Sequence, residues 1–162
     1  MSLALLSLGS NIEPAARLCA AARDLRLTFP DIVFSQPYRY PAVGFEGPDF
    51  LNAGAALHTE LGAQALSDWL HALEDAHGRR RDVPRYSSRT LDIDLVLYDD
   101  LITEGTGHLQ LPRKDLKHAF VLEPLAALVP DFVEPCSGKT LLALWRAHPD
   151  HARPTPPEAL ML

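Results

Sequence analysis

Two aspartates one residue apart, Asp92 and Asp94, sit inside the segment LDIDLVLY. In an extended strand, residues i and i+2 share a face about 7 Å apart. The alternation assigns Leu91, Ile93, Leu95 and Leu97 to a packed face and Asp92, Asp94, Val96 and Tyr98 to the other. Two neighbouring carboxylates repel, and partial burial raises at least one pKa unless a cation compensates. Mg²⁺ supplies that compensation, held by one or two carboxylates together with substrate phosphates. A bare D-x-D also suits a solvated strand end, so the neighbourhood has to decide.

That neighbourhood is basic. Arg79, Arg80, Arg81, Arg85 and Arg89 fall within eleven residues, offset only by Asp82, in a chain of net charge −6. Guanidinium forks match phosphate oxygens through charge-assisted, bidentate hydrogen bonds. A basic loop paired with surface acids is the simpler account of the arginines alone. Acids for a hard cation beside arginines for phosphate form a narrower combination. It fits phosphoryl-type transfer, where positioning and charge neutralisation carry most of the catalysis.

Other chemistries lack their signatures. There is no GxxxxGK[ST] loop. The seven histidines are scattered and show no zinc-ligand spacing or triad. Cys19 and Cys136 form no CxxC and read as free thiols. The acidic balance argues against a general nucleic-acid or membrane-surface binder, and no apolar run approaches the roughly 20 residues of a membrane span. The opening MSLALLSLGS lacks a basic leader and reads as a first strand, so a cytoplasmic protein is expected.

The elements that must position these groups follow in order. Residues 3–8 form an apolar strand closed by Gly9-Ser10-Asn11. Residues 14–28 carry Ala15, Leu18, Cys19, Ala22 and Leu25 at helical spacing, with Pro14 suited to the first turn. Strands are predicted at 32–38 and 50–57, a helix at 63–77 capped by Gly78, and a fourth strand at 91–98. This β-α-β-β-α-β order predicts an α+β, ferredoxin-like antiparallel sheet backed by two helices. Short strands near 101–102 and 109–111 and helices at 122–128 and 141–147 follow. One domain is expected over residues 1–148, with the Pro-rich residues 149–162 as a mobile tail. The Pro- and Gly-rich loop from Tyr40 leads into Phe50 and Asn52, which suits a flat heteroaromatic ligand. Equally, Phe50 could be core and Asn52 could satisfy a neighbouring strand.

Six segments together resemble the 6-hydroxymethyl-7,8-dihydropterin pyrophosphokinase family of folate biosynthesis. They are LGSN (8–11), YRYPAVG (38–44), DFLNA (49–53), LEDAHGRRR (73–81), SRTLDIDLVLY (88–98) and AFVLEPLAALVP (119–130). They keep the family's order and cover roughly residues 3–135. The resemblance implies a ferredoxin-like fold and transfer of pyrophosphate from ATP to the pterin hydroxymethyl oxygen, releasing AMP. It implies Asp92 and Asp94 as ligands of two Mg²⁺ ions and Arg79 and Arg89 as phosphate clamps, these four forming the catalytic set. Glu74, Arg81, Arg113 and His118 join the two arginines on the ATP side. Phe50 and Phe120 are implied to sandwich the pterin, with Asn52 reading its edge. Backbone groups of Tyr40, Pro41 and Val43 contribute further bonds, and Tyr86 covers the site.

The chain departs from the family in four places. Tyr86-Ser87-Ser88 stands for W-G-P, keeping an aromatic group but losing the rigid Gly-Pro. Pro112-Arg113 stands for P-H, His118 for an arginine, and His108 for another basic position. A neutral histidine is a poorer phosphate ligand than a permanently charged fork, and Arg113 restores one cation. Two alternatives remain at this level. One is a pterin- or nucleotide-binding homologue with little turnover or a modified pterin substrate. The other is a metal-dependent enzyme acting on nucleic acid, which the acidic charge disfavours. The expected partners are small molecules, with no nucleic acid or membrane, and the chain is expected to be a monomer.

Overall fold

The computed structural model describes residues 1–78, 90–104, 109–153 and 155–162. The elements are β1 (Ser2–Ser10), α1 (Pro14–Thr28), β2 (Val33–Phe34), β3 (Tyr38–Tyr40), β4 (Phe50–Thr59), α2 (Ala63–Ala76) and β5 (Asp92–Tyr98). After them come a short hairpin, β6 (Thr103–Glu104) with β7 (Gln110–Leu111), then α3 (Ala119–Leu128) and α4 (Leu141–Ala147). The main sheet runs β2-β4-β1-β5, with β3 pairing β4 beside β2. All its pairings are antiparallel, which is the ferredoxin-like arrangement expected.

Helices cover both faces of the sheet, and apolar side chains fill the space beneath them. On one face, Leu18, Ala21 and Leu25 of α1 and Leu66 and Leu70 of α2 pack on Leu6, Leu8, Leu57 and Ile93. On the other, Val121, Leu122 and Leu125 of α3 and Leu141 and Trp145 of α4 pack on Leu5, Ala56 and Leu97. Ala15, expected on the packed stripe of α1, is exposed. α3 begins at Ala119, earlier than the apolar run alone indicated.

Two expectations about strands change. Leu97 does not share a face with Leu91, Ile93 and Leu95; it joins Val96 in the α3–α4 core, and Tyr98 packs toward the α1–α2 core. The cause is a register shift: Leu5 pairs with Leu97 but Leu6 pairs with Leu95, so Val96 is an extra residue. Such a bulge inverts the alternation downstream of it. The strand expected at 32–38 is two strands, β2 and β3. Pro37 offers no N–H for a continuous ladder. At the break, Ser35 N–H donates to the Gly54 carbonyl at 2.9 Å, and the Ser35 hydroxyl accepts the Gly54 N–H at 2.9 Å.

Gly54 also lets α3 approach the sheet. A Cβ there would lie 2.8 Å from Leu125 Cδ2, closer than packed carbons stand. Gly78, at φ +83°, terminates α2 in the left-handed conformation expected of it.

Residues of the Pro-rich tail make contacts with the domain. His148 and His151 pack on Trp145. Beyond them, Pro157 bridges Tyr38, and Leu160 and Leu162 pack on the α1–α2 core. Among the described residues no helix is long and apolar enough to cross a membrane.

Candidate active site

Residues that share the α3–α4 face of the sheet lie in rows across β4, β1 and β5. Asn52, Gly9 and Asp92 form one row, and Gly54, Ser7 and Asp94 the next. Further along the same face, Ala56 and Leu5 are core. The face is thus polar at one end and apolar at the other, and α3 covers the boundary. The Asn52 amide fills the space beside Gly9: a Cβ there would stand 2.7 Å from Asn52 Oδ1 and force one of them to shift.

The acid pair is half-buried and held from two sides. Arg113 Nη2 lies 3.5 Å from Asp94 Oδ1, while its Nε donates to Asp115 at 3.2 Å. Its backbone N–H donates to Val96 at the bulge, at 2.9 Å. Burial alone would lower the guanidinium pKa, but the charges of Asp94, Asp115 and Asp92 hold it up.

From the other side comes Glu74 of α2, only 2% exposed. Its Oε2 accepts the Ile93 N–H at 3.0 Å. Burial first, then the charge of Asp92 and a hydrogen bond with it, push Glu74 up to about 8. Glu74, expected on the nucleotide side, braces β5 through Ile93 and feels the charge of the acid pair. The Thr90 hydroxyl, just ahead of the pair, is buried with no hydrogen-bond partner among the described residues.

Rings gather on the neighbouring elements, where the sequence suited a flat ligand. Phe45 meets Phe50 edge-on at 6.4 Å, and Tyr40 meets Phe120 edge-on at 6.4 Å. His118 stacks on Phe120 at 4.9 Å and 10°, so one face of that ring is covered by a residue expected on the ATP side. Pro124 inside α3 offers no N–H to the Phe120 carbonyl, which leaves that oxygen to other donors. Pro41 and Val43 are exposed on the loop after β3, and Asn52 is buried on β4 opposite Tyr38. Asn11 ties the end of β1 to this loop through Pro48, Nδ2 donating at 3.1 Å.

Composition alone did not single out Glu123. It is 5% exposed within an otherwise apolar helix, and it accepts the Tyr40 hydroxyl. The signal was a lone acid in AFVLEPLAAL, a residue type seldom buried without a partner. The expected site residues Arg79, Arg81, Tyr86, Arg89 and His108 lie outside the described residues.

Residues 5–130 match the family model for 7,8-dihydro-6-hydroxymethylpterin-pyrophosphokinase (HPPK). The chain belongs to this family. Among relatives named 2-amino-4-hydroxy-6-hydroxymethyldihydropteridine pyrophosphokinase, the Synechocystis sp. protein is 37% identical, covering 87% of this chain and 73% of its own. The Pseudomonas aeruginosa protein is also 37% identical, over 89% of this chain and 90% of its own. The HPPK fold is seen in the crystal structure of wild-type Plasmodium falciparum HPPK-DHPS with pteroate, at TM-score 0.70 and 11% identity over 90% of this chain. This HPPK-family chain spans 42% of that longer protein.

The donor set suits a hard cation. Asp92 and Asp94 offer oxygen ligands on one face. Among the described residues no group of three or more His, Cys, Asp or Glu could hold a metal ion by itself. Mg²⁺ at phosphoryl-transfer sites is commonly held by one or two carboxylates together with water and substrate phosphates.

Proposed function

We propose that the protein transfers pyrophosphate from ATP to the hydroxymethyl group of 6-hydroxymethyl-7,8-dihydropterin, giving AMP and the pterin diphosphate for folate biosynthesis. The observation that carries this reading is the pair of rows across β4, β1 and β5. They set the Asn52 ring-reading position and the Asp92–Asp94 pair on one face, with only Gly9 and Ser7 between.

In this reading Asp92 and Asp94 would hold two Mg²⁺ ions, which would supply neutralisation of triphosphate charge and polarisation of the attacking hydroxyl. The chain's own work is positioning. Phe50 and Phe120 enclose the pterin ring, and Asn52 reads its polar edge. Backbone groups of Tyr40, Pro41 and Val43 fix its rotation, and Tyr86 covers it. The hydroxymethyl oxygen then faces the β-phosphorus, and the bond from that phosphorus to the α-phosphate oxygen breaks as AMP leaves.

Arg79 and Arg89 clamp the phosphates, with Arg81 assisting and His118 beside the nucleotide. Arg113, already against Asp94, turns its second fork edge to a phosphate oxygen. Glu74 acts from below, keeping Ile93 and the strand start in place. Both substrates meet on one chain, so the reading needs no second copy, and we propose a cytoplasmic monomer.

The test is AMP formation by chromatography with ATP, Mg²⁺ and the dihydropterin. AMP appearing in step with the pterin diphosphate is expected, and its loss on removing Mg²⁺ with EDTA is expected as well. Background AMP with ligand binding retained would leave a binding protein in place of an enzyme.

A further inference from the structure

β3 is short, and its chain continues directly into the loop proposed to hold the pterin. Within the main sheet it pairs with β4. A strand of this length at an edge fixes its own position weakly. Something else has to hold it.

Residues 155–162 do so from both faces of the sheet. On the α3 face, the Thr155 N–H donates to the Glu123 carboxylate. That same carboxylate accepts the Tyr40 hydroxyl, with the Ala119 carbonyl 3.3 Å from the phenol oxygen. At the edge, Pro157 bridges Tyr38, the Glu158 N–H donates to Pro37 at 2.8 Å, and Glu158 Oε1 accepts from Arg39 Nε at 2.7 Å. On the α1 face, Leu160 and Leu162 pack on the core, and the Leu162 carbonyl accepts from Arg26. Every residue of β3 is thereby tied to the strap, directly at Tyr38 and Arg39 and through Glu123 at Tyr40. Tyr40 in turn meets Phe120 edge-on. A cavity of about 160 Å³ lies where the strap crosses α3, bounded by Tyr40, Glu123, Trp145 and Thr155.

We infer that residues 155–162 are a positioning strap for the pterin side of the site, and that Glu123 is the joint through which Thr155 sets Tyr40 and the loop after it. The inference rests on the pterin reading above. Its consequence is selective. The contacts of the strap given above run to β3, α3 and α1, the elements on the pterin side, so loosening it weakens pterin binding and leaves the nucleotide side intact. Binding sites tolerate displacements of only about 0.5 Å before affinity suffers, and each tie removed frees the strand that leads into the loop.

The experiment is titration of 6-hydroxymethylpterin fluorescence, with and without a non-hydrolysable ATP analogue, on the full chain. Thr155→Pro removes the N–H to Glu123, and Thr155→Ala retains it. Glu158→Gln weakens the tie to Arg39. Thr155→Pro is expected to bind pterin about tenfold more weakly, the scale of one lost hydrogen bond to a charged group. Glu158→Gln should show a smaller loss, and Thr155→Ala wild-type binding. In all three the affinity for the ATP analogue should stay at the wild-type value. Unchanged pterin affinity in Thr155→Pro overturns the strap's role. So does an equal loss for pterin and ATP analogue, which marks a merely structural element, or an equal loss in Thr155→Ala. Wild-type protein that binds the ATP analogue but no pterin overturns the pterin reading itself, and the strap inference with it.

Discussion

Asn52 Oδ1 occupies the space that a side chain on Gly9 would fill, 2.7 Å from where its Cβ would stand. The amide therefore extends across β1 toward Asp92, and the two halves of the site share the glycine as their border.

Gly9→Ala is expected to push Asn52 aside. The overpacked methyl should cost about 1–3 kcal/mol of stability and weaken pterin binding more than nucleotide binding. A thermal melt paired with pterin fluorescence titration checks both. Unchanged pterin affinity would count against Asn52 as the ring-reading residue.

Asp94→Ala removes a proposed metal ligand without opening the core, since Asp94 is half-buried beside Ser7 and Arg113. Turnover should fall by about a thousandfold or more, while far-UV circular dichroism stays that of the wild type. Appreciable AMP formation in this variant would refute the metal-site assignment.

Arg113→Ala tests the nearest described cation to the acids. KM for ATP should rise by about tenfold, as for loss of a charge-assisted phosphate contact. KM for pterin should hold. If the pterin KM rises instead, Arg113 belongs to the other side of the site.

Glu74 gives a pH dependence whose sign is fixed. Its carboxyl is pushed from 4.5 up to about 8 in the folded chain, by burial first and then by Asp92. The folded state thus holds the proton more tightly than the unfolded one. The stability this contributes is fully present below pH 4.5 and is lost as pH rises through about 8. Metal-free protein in EDTA should lose on the order of 2–4 kcal/mol across that interval from this group. Glu74→Gln, which keeps an acceptor for the Ile93 N–H, should flatten the profile in urea melts taken at several pH values. A variant with the wild-type slope would show that other groups govern it.

Much of this was legible locally. The order of strands and helices follows from apolar periodicity, and the acid pair stands out because LDIDLVLY alternates up to the bulge. The bulge itself is invisible: Val96, Leu97 and Tyr98 continue a plausible strand, and only the pairing with β1 shows which residue is extra. The strap was hidden for a related reason. Its contacts are with partners far away in sequence, such as Glu158 with Arg39, which no local pattern of prolines announces. Glu74 was marked by resemblance alone, and its burial and its bond to Ile93 show only once the packing of α2 on β5 is known.

The contact between Leu125 and Gly54 works as a fulcrum. Phe50 precedes that contact on β4, and Phe120 precedes it on α3. A single methyl group at residue 54 would press on Leu125 and shift α3 against β4. The spacing of the two rings proposed to enclose the pterin thus depends on a residue that neither ring touches in sequence.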